Sequence, residues 1–290
     1  YPLLKCREHD FWGVLELEIN SASLNDFIFE VLRGEFIFKD RTWISFPGNA
    51  RLKRRSFESA WLDPDKPFQI YLGLKRLSKD EKNIRFLRQD EELSDDLAIR
   101  FVCQENPEEI PDLFDPAAPY GQVKKMDYLL KIFWETELEE LADYELIPLA
   151  KLIREGNEIK LAEDFVPPCL TLASSRILLG HFKAVRDQIT SRCKQLEEFK
   201  SPKEMQTAEF DAQYMVYLLA LRSLNRYVPL LYSYFEQART ISPRSAYVLL
   251  AQLVGELSTF TQRINALSEL EDGTRLLPPY RHDDPQSCFA

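Results

Sequence analysis

Residues 165–199 read FVPPCLTLASSRILLGHFKAVRDQITSRCKQLEEF, and within this stretch the spacing of apolar residues changes. Downstream of the prolines they recur at Leu178, Phe182, Val185, Ile189, Leu196 and Phe199, close to the heptad spacing of packed helices. Upstream they alternate one by one, as in strands with one wet face. The Pro167-Pro168 pair marks the junction, because proline lacks a backbone donor and pushes the residue before it out of the helical region. The chain therefore reads as α+β and multi-domain: an antiparallel β-sandwich over residues 1–168, an antiparallel helical bundle over 169–272, and a linker over 273–290.

Proline usage agrees, since 11 of the 17 prolines precede Cys169 and only Pro202, Pro229 and Pro243 fall in the next hundred residues. In the β half, Val14 to Ile19 alternate, Phe27, Phe29 and Val31 form a second set, and Phe36 and Phe38 a third. Phe46-Pro47-Gly48-Asn49-Ala50 has turn chemistry, and Phe68, Ile70, Leu72 and Leu74 then share one strand face. Residues 126–141 fit a helix through Met126, Leu130, Phe133 and Leu141, or a strand through Tyr128, Leu130, Ile132 and Trp134. The strand is favoured, with a helical turn at Glu137–Ala142. Two further strands flank a turn at Glu155-Gly156-Asn157.

Beyond the first helix, Lys200-Ser201-Pro202 permits a reversal. Phe210, Tyr214, Tyr217, Leu218, Leu221 and Leu224 define a second helix, which Pro229 should kink or interrupt. Ser242-Pro243 starts a third, with serine as N-cap and proline at the first helical position. Its seam runs Tyr247, Leu250, Val254, Leu257, Thr261 and Ile264. The candidate seam of the bundle, or of an assembly of copies, is therefore Phe182, Val185, Ile189, Leu196, Tyr247, Leu250, Val254, Leu257 and Ile264. Second apolar rows (Ile177 and Leu179; Tyr232 and Phe235; Leu249, Leu253 and Phe260) either widen the intrachain core or are buried by copies of the same chain.

Charge and motifs exclude much chemistry. Residues 1–170 carry 34 acids and 23 bases, whereas residues 171–272 carry 11 acids and 12 bases. So acidic a chain is a poor general binder of nucleic-acid phosphates. Its one basic cluster, Arg51, Lys53, Arg54 and Arg55, reads as a solvated strand edge or loop. The nine glycines lie at least 14 residues apart, so no glycine-rich phosphate loop exists. Five dispersed cysteines (Cys6, Cys103, Cys169, Cys193, Cys288) read as reduced, packed thiols. His9, His181 and His282 are far apart, and His282-Asp283-Asp284 is the nearest approach to a ligand cluster. The acidic pairs Glu91-Glu92, Asp95-Asp96, Glu108-Glu109 and Glu139-Glu140 read as solvated faces rather than glycosidase carboxylates. No catalytic, cofactor or metal residue is assigned, and no apolar run approaches the roughly 20 residues of a membrane span.

Several segments, in order, resemble the TssK (ImpJ/VasE) family of type VI secretion baseplate proteins. They are Phe11-Trp12-Gly13 leading into LELEI; Phe46–Ala50; Glu137–Leu141 with Asp143–Pro148; Phe165–Leu170; Leu249-Leu250-Ala251 with Gly255-Glu256-Leu257; and Leu277–Tyr280 with His282-Asp283. The resemblance implies a non-enzymatic homotrimer, needing no cofactor, on the cytoplasmic side of the inner membrane. Its shoulder would resemble that of phage receptor-binding proteins and hold the wedge proteins TssF, TssG and TssE; a helical neck would follow; a C-terminal head would engage TssL and TssM. With Tyr1 in place of a methionine, and no counterpart of the family's opening stretch or head, the sequence reads as a piece of a longer protein. The alternative is a phage-tail receptor-binding or tail-adaptor protein whose shoulder binds carbohydrate or protein. A carbohydrate platform would need Trp12, Trp43 or Trp61 exposed, and core packing is the expectation for each. A third reading, a carbohydrate-active β-sandwich enzyme, would need two facing carboxylates.

Overall fold

The computed structural model describes residues 10–88, 91, 93–94, 96–198 and 212–289. The calls on Cys6, His9, Glu92, Asp95, Phe199, Lys200-Ser201-Pro202 and Phe210 lie outside these residues. Two compact units emerge, Tyr1–Phe165 and Val166–Ala290.

In the first unit, β1 (Gly13–Ile19) pairs antiparallel with β3 (Val31–Ile37), and β3 with β4 (Trp43–Phe46). Between them, β2 (Ile28–Phe29) pairs with β6 (Arg55–Ser56). The turn at Pro47-Gly48-Asn49 is held by Asn49, whose side-chain oxygen accepts from the Ser45 N–H at 2.8 Å. Phe27 departs from the expected alternation. It closes a 3-10 turn over Ser21–Asp26 with φ of 57°, so only Phe29 and Val31 of that set are in strands.

The larger sheet runs β14 (Glu158–Leu161), β13 (Tyr144–Glu155), β7 (Phe68–Lys75), β12 (Met126–Trp134), β9 (Phe101–Gln104) and β8 (Ile84–Leu87), with β5 (Ala50–Leu52) also on β12. Residues 126–134 are thus a strand, followed by a 3-10 turn at Glu135–Glu140. Gly156, at φ of 63°, makes the β13–β14 turn in a conformation glycine adopts without strain. The expectation of a purely antiparallel architecture fails at two pairs, because β5 runs parallel to β12 and β8 parallel to β9. Both join distant segments, and alternation encodes which face a residue takes but not its neighbour's direction.

The core of this unit gathers Val14, Phe29, Phe36, Phe38, Ile44, Ile70, Leu72, Leu74 and Ile147, all fully enclosed. At its centre Trp61 stacks on Phe68 with centroids 5.7 Å apart, and Phe57 meets Trp134 edge-on at 6.2 Å. Gly73 permits the tight pairing of β7 and β12. A methyl group there would come within 2.4 Å of the Phe133 ring.

The second unit holds three main helices. Helix α1 (Arg176–Glu197) is capped by Ser175, whose hydroxyl accepts from the Leu178 N–H at 3.3 Å. Helix α2 (Ala212–Glu236) continues through Pro229, so of the expected kink or interruption the interruption does not occur. Helix α3 (Pro243–Leu257) starts at the expected Ser242-Pro243 signal, with Ser242 accepting from the Ser245 N–H. The third helix was expected to reach Ile264, yet it stops at Leu257. Beyond a 3-10 turn at Ser258–Phe260, Ile264 bridges Leu270 in a reversal held by Asn265, whose side-chain oxygen accepts from the Leu267 and Glu269 N–H groups. Those local bonds offer the backbone an alternative to continuing the helix. Residues 278–289, read from sequence as linker, lie against α3: the Tyr247 hydroxyl donates to the Pro278 carbonyl, and its ring contacts Tyr280 and Phe289. The segment ends in a short turn of helix, α4 (Gln286–Phe289).

Candidate interaction surfaces

Of the nine candidate seam residues, Phe182 and Tyr247 are buried within their own unit, while Val185, Ile189, Leu196, Leu250, Val254 and Leu257 are half-buried. Ile264 is also half-buried but is not on the helix. On α3, Leu249 and Leu253 enter the core with Ala246, Leu250 and Leu257 pack at its margin, and Val254 is half-buried. Leu249, Leu250, Leu253 and Val254 supply two apolar rows of similar character, so spacing alone does not choose between them.

One exposed apolar face of this unit was not singled out from the sequence. Helix α2 directs Leu221, Leu224, Tyr227 and Leu231 inward, and on another face leaves Met215, Val216, Leu219 and Leu230 exposed. Met215, Leu219, Arg222, Arg226 and Leu230 recur at spacings of four, three, four and four, one continuous stripe on a helix of 3.6 residues per turn. Arg226 ties the stripe to α3 through Glu256 at 2.9 Å. In the sequence this face runs beside the apolar row bearing Tyr217 and Leu224, which has the same helical period. The row holding Tyr232 and Phe235 is not bare either: the Arg186 guanidinium lies 4.8 Å and 4.2 Å from those two rings.

In the β unit the basic cluster is more engaged than a solvated edge. The Arg55 guanidinium grips Glu137, donates to the Ile132 carbonyl at 2.9 Å, and lies 4.9 Å from the Trp134 ring. Glu137 also accepts from the Trp134 N–H at 3.0 Å. Tyr128 donates its N–H to Asn49, so by alternation Ile132 and Trp134 direct backbone groups to the edge of β12 that β5 covers. The Arg55–Glu137 pair thus caps the part of that edge where β5 has ended. Burial alone would raise the Glu137 carboxyl, but the Arg55 and Trp134 hydrogen bonds outweigh it and hold it below the usual range. Arg51 pairs with Asp127 at 3.0 Å, and Lys53 donates to the Leu93 carbonyl at 2.7 Å. Lys53, Arg54, Leu93, Leu129, Lys131 and Phe133 help line a cleft of about 210 Å³.

Arg100, also missed, is 3% exposed and joins separate strand systems of the unit. Its guanidinium donates to the Lys75 carbonyl at 2.8 Å and to Asp40 and the Thr42 hydroxyl at 2.6 Å each. Burial pushes the Asp40 carboxyl upward, yet the bonds from Thr42 and Arg100 prevail and leave it lowered.

Among the described residues the candidate ligand and acid–base groups are not brought together. Among the described residues no three His, Cys, Asp or Glu side chains gather as a metal site. His282 is buried with Nδ1 3.0 Å from the Tyr280 hydroxyl, Asp283 pairs with Arg281, and His181 is exposed. Burial pushes the Cys169 thiol far up, opposite to what a nucleophile needs. Glu91 is lowered by the Arg88 N–H and Arg85, opposite to a general acid. Glu108-Glu109 and Glu139-Glu140 are exposed. Trp12 and Trp61 are buried as expected, but Trp43 is half exposed, with its indole N–H on Glu35 at 2.7 Å. It alternates with the enclosed Ile44 on β4, so its ring takes the outer face. Among the described residues no helix is long and apolar enough to cross a membrane.

Comparison with known proteins follows this geometry. The family model described as "Bacterial Type VI secretion, VC_A0110, EvfL, ImpJ, VasE" matches residues 2–290. The type VI secretion system baseplate component TssK1 of Pseudomonas aeruginosa is 24% identical over 294 residues. That alignment takes in 96% of this chain but only 58% of the relative's length. A crystal structure of TssK superposes with a TM-score of 0.80 at 18% identity, covering 99% of this chain and 60% of that one. The cryo-electron microscopy structure of a TssK-TssF-TssG baseplate subcomplex gives 0.77 at 19% identity, covering 99% and 86%. At such identities the superpositions speak for a shared α+β fold, while the match along nearly the whole sequence places the chain in the ImpJ/VasE family of type VI secretion proteins, whose relatives include structural baseplate components named TssK.

Proposed function

We propose that the chain is a structural adaptor of the type VI secretion baseplate, acting as a homotrimer that joins the baseplate wedge to the membrane complex. On this reading residues 1–168 form a shoulder, of the sandwich kind found in phage receptor-binding proteins, that holds the wedge proteins TssF, TssG and TssE. Residues 169–272 form a helical neck where copies meet, and residues 273–290 lead toward a head that engages TssL and TssM. The site of action is the cytoplasmic side of the inner membrane, and neither a cofactor nor a catalytic step is involved.

The observation that carries the trimer is the stripe of Met215, Leu219 and Leu230 on α2, with Val216 beside it. Exposed apolar side chains sharing one helix face mark association sites in soluble proteins, and here Arg222 and Arg226 lie between Leu219 and Leu230 on that face. It lies on the near-neutral half, so copies can meet there without the repulsion expected between the acidic halves. Analytical ultracentrifugation tests it. At micromolar concentration the chain should sediment at three times 34.0 kDa, and Leu219→Glu should drive it toward monomer. A stable monomer of the unmodified chain would refute the proposal.

A further inference from the structure

Strands β10 (Glu108–Ile110) and β11 (Gly121–Val123) form a two-stranded hairpin in which all six residues are exposed. At its tip Leu113 is 89% and Phe114 93% exposed, and Tyr120 also faces solvent. A phenylalanine this bare gains nothing from the fold that displays it.

The tip is held in shape. The Asp112 carboxylate accepts from the Phe114 N–H at 2.8 Å and the Asp115 N–H at 3.0 Å, which also lowers its pKa. Asp115 in turn accepts from the Ala117 N–H at 2.9 Å. Pro111, Pro116 and Pro119 restrict the backbone further. Leu113 and Phe114 are therefore presented in a pre-organised turn, which reduces the ordering cost of binding.

Charge narrows what this finger fits. Asp112 and Asp115 lie beside the apolar tip and Glu108 and Glu109 on the strand leading to it, while Glu105, Lys124 and Lys125 lie near the base, where the Lys124 ammonium is 5.3 Å from the Phe86 ring. These carboxylates favour a receptor with a basic rim, and an anionic lipid surface would be repelled.

We infer that the hairpin is a docking finger for a protein partner offering an apolar pocket edged by Lys or Arg. Because this rests on the baseplate reading, the probe is the cognate TssF–TssG complex, titrated against the chain by calorimetry. Leu113→Asp with Phe114→Asp should bind at least tenfold more weakly, and Glu108→Lys with Glu109→Lys should weaken binding and flatten its salt dependence. Both side-chain pairs are solvent-exposed, so thermal unfolding and sedimentation should match the unmodified chain. Unchanged affinity of the tip variant would overturn the finger alone. A drop in its sedimenting mass would assign the tip to a second copy, and loss of flotation with anionic vesicles would assign it to lipid; either overturns the inference. Failure of the unmodified chain to bind TssF–TssG would remove the baseplate reading and the finger with it.

Discussion

The β unit encloses Phe57, Phe68 and Trp134, whereas α2 of the helical unit leaves Met215, Val216 and Leu219 at its surface. The β unit also anchors its charges internally, with Arg100 on Asp40 and Arg55 on Glu137. The helical unit builds its core on Leu178, Phe182, Leu231 and Leu249, and its Arg226–Glu256 pair is partly solvated. The β unit also exposes apolar residues, of which Leu113 and Phe114 gather on a hairpin tip, whereas those of α2 share one helix face.

The largest effect should come from opening the β-unit core. Trp134→Ala removes the ring that meets Phe57 and Phe68 and should cost about 3–5 kcal/mol in urea unfolding followed by circular dichroism. That loss should appear only in the transition of the β unit. A shift of both transitions together would show that the halves do not unfold independently.

Next in size is the Arg100 clamp. Arg100→Met leaves Asp40 without its main partner, and because Asp40 is partly solvated the cost should be about 2 kcal/mol rather than that of a fully buried broken pair. Asp40→Asn should cost at least as much, because it leaves the more deeply buried guanidinium without its counter-charge although Lys75 and Thr42 still accept from it.

A smaller effect is the response of the β unit to acid. Asp40 and Glu137 both have folded-state values below the ordinary 3.8 and 4.5, so the unfolded chain binds protons first as pH falls. Their contribution is fully present above those ordinary values and is lost as pH drops through the lowered ones. The β-unit melting temperature should therefore fall below about pH 4.5, and Glu137→Gln should flatten that slope. An unchanged slope would mean that other carboxylates govern it.

Much of the architecture was legible residue by residue. Phe68, Ile70, Leu72 and Leu74 declared a buried strand face, Ser242-Pro243 a helix start, and Gly156 a turn. The settings of Arg100 and Arg55 were not legible, because their partners lie 60 and 82 residues away and no local pattern links them. The parallel β5–β12 pair escaped for the same reason. The end of α3 failed differently: the apolar period continues to Ile264, but Asn265 diverts the backbone. The finger could have been read from Asp112-Leu113-Phe114-Asp115, two large apolar residues set among acids and prolines.

The sharpest contrast between the halves can be read on two methionines, Met126 in the β unit and Met215 on α2, which are exposed to similar extents in the single copy. Peroxide oxidation followed by mass spectrometry reports the accessibility of each sulfur. If sister copies cover the α2 stripe, Met126 should oxidise readily at every concentration, while Met215 should be protected at micromolar concentration and oxidise as fast as Met126 once diluted to monomer. Equal rates for the two residues at high concentration would leave the stripe bare and contradict assembly through this face.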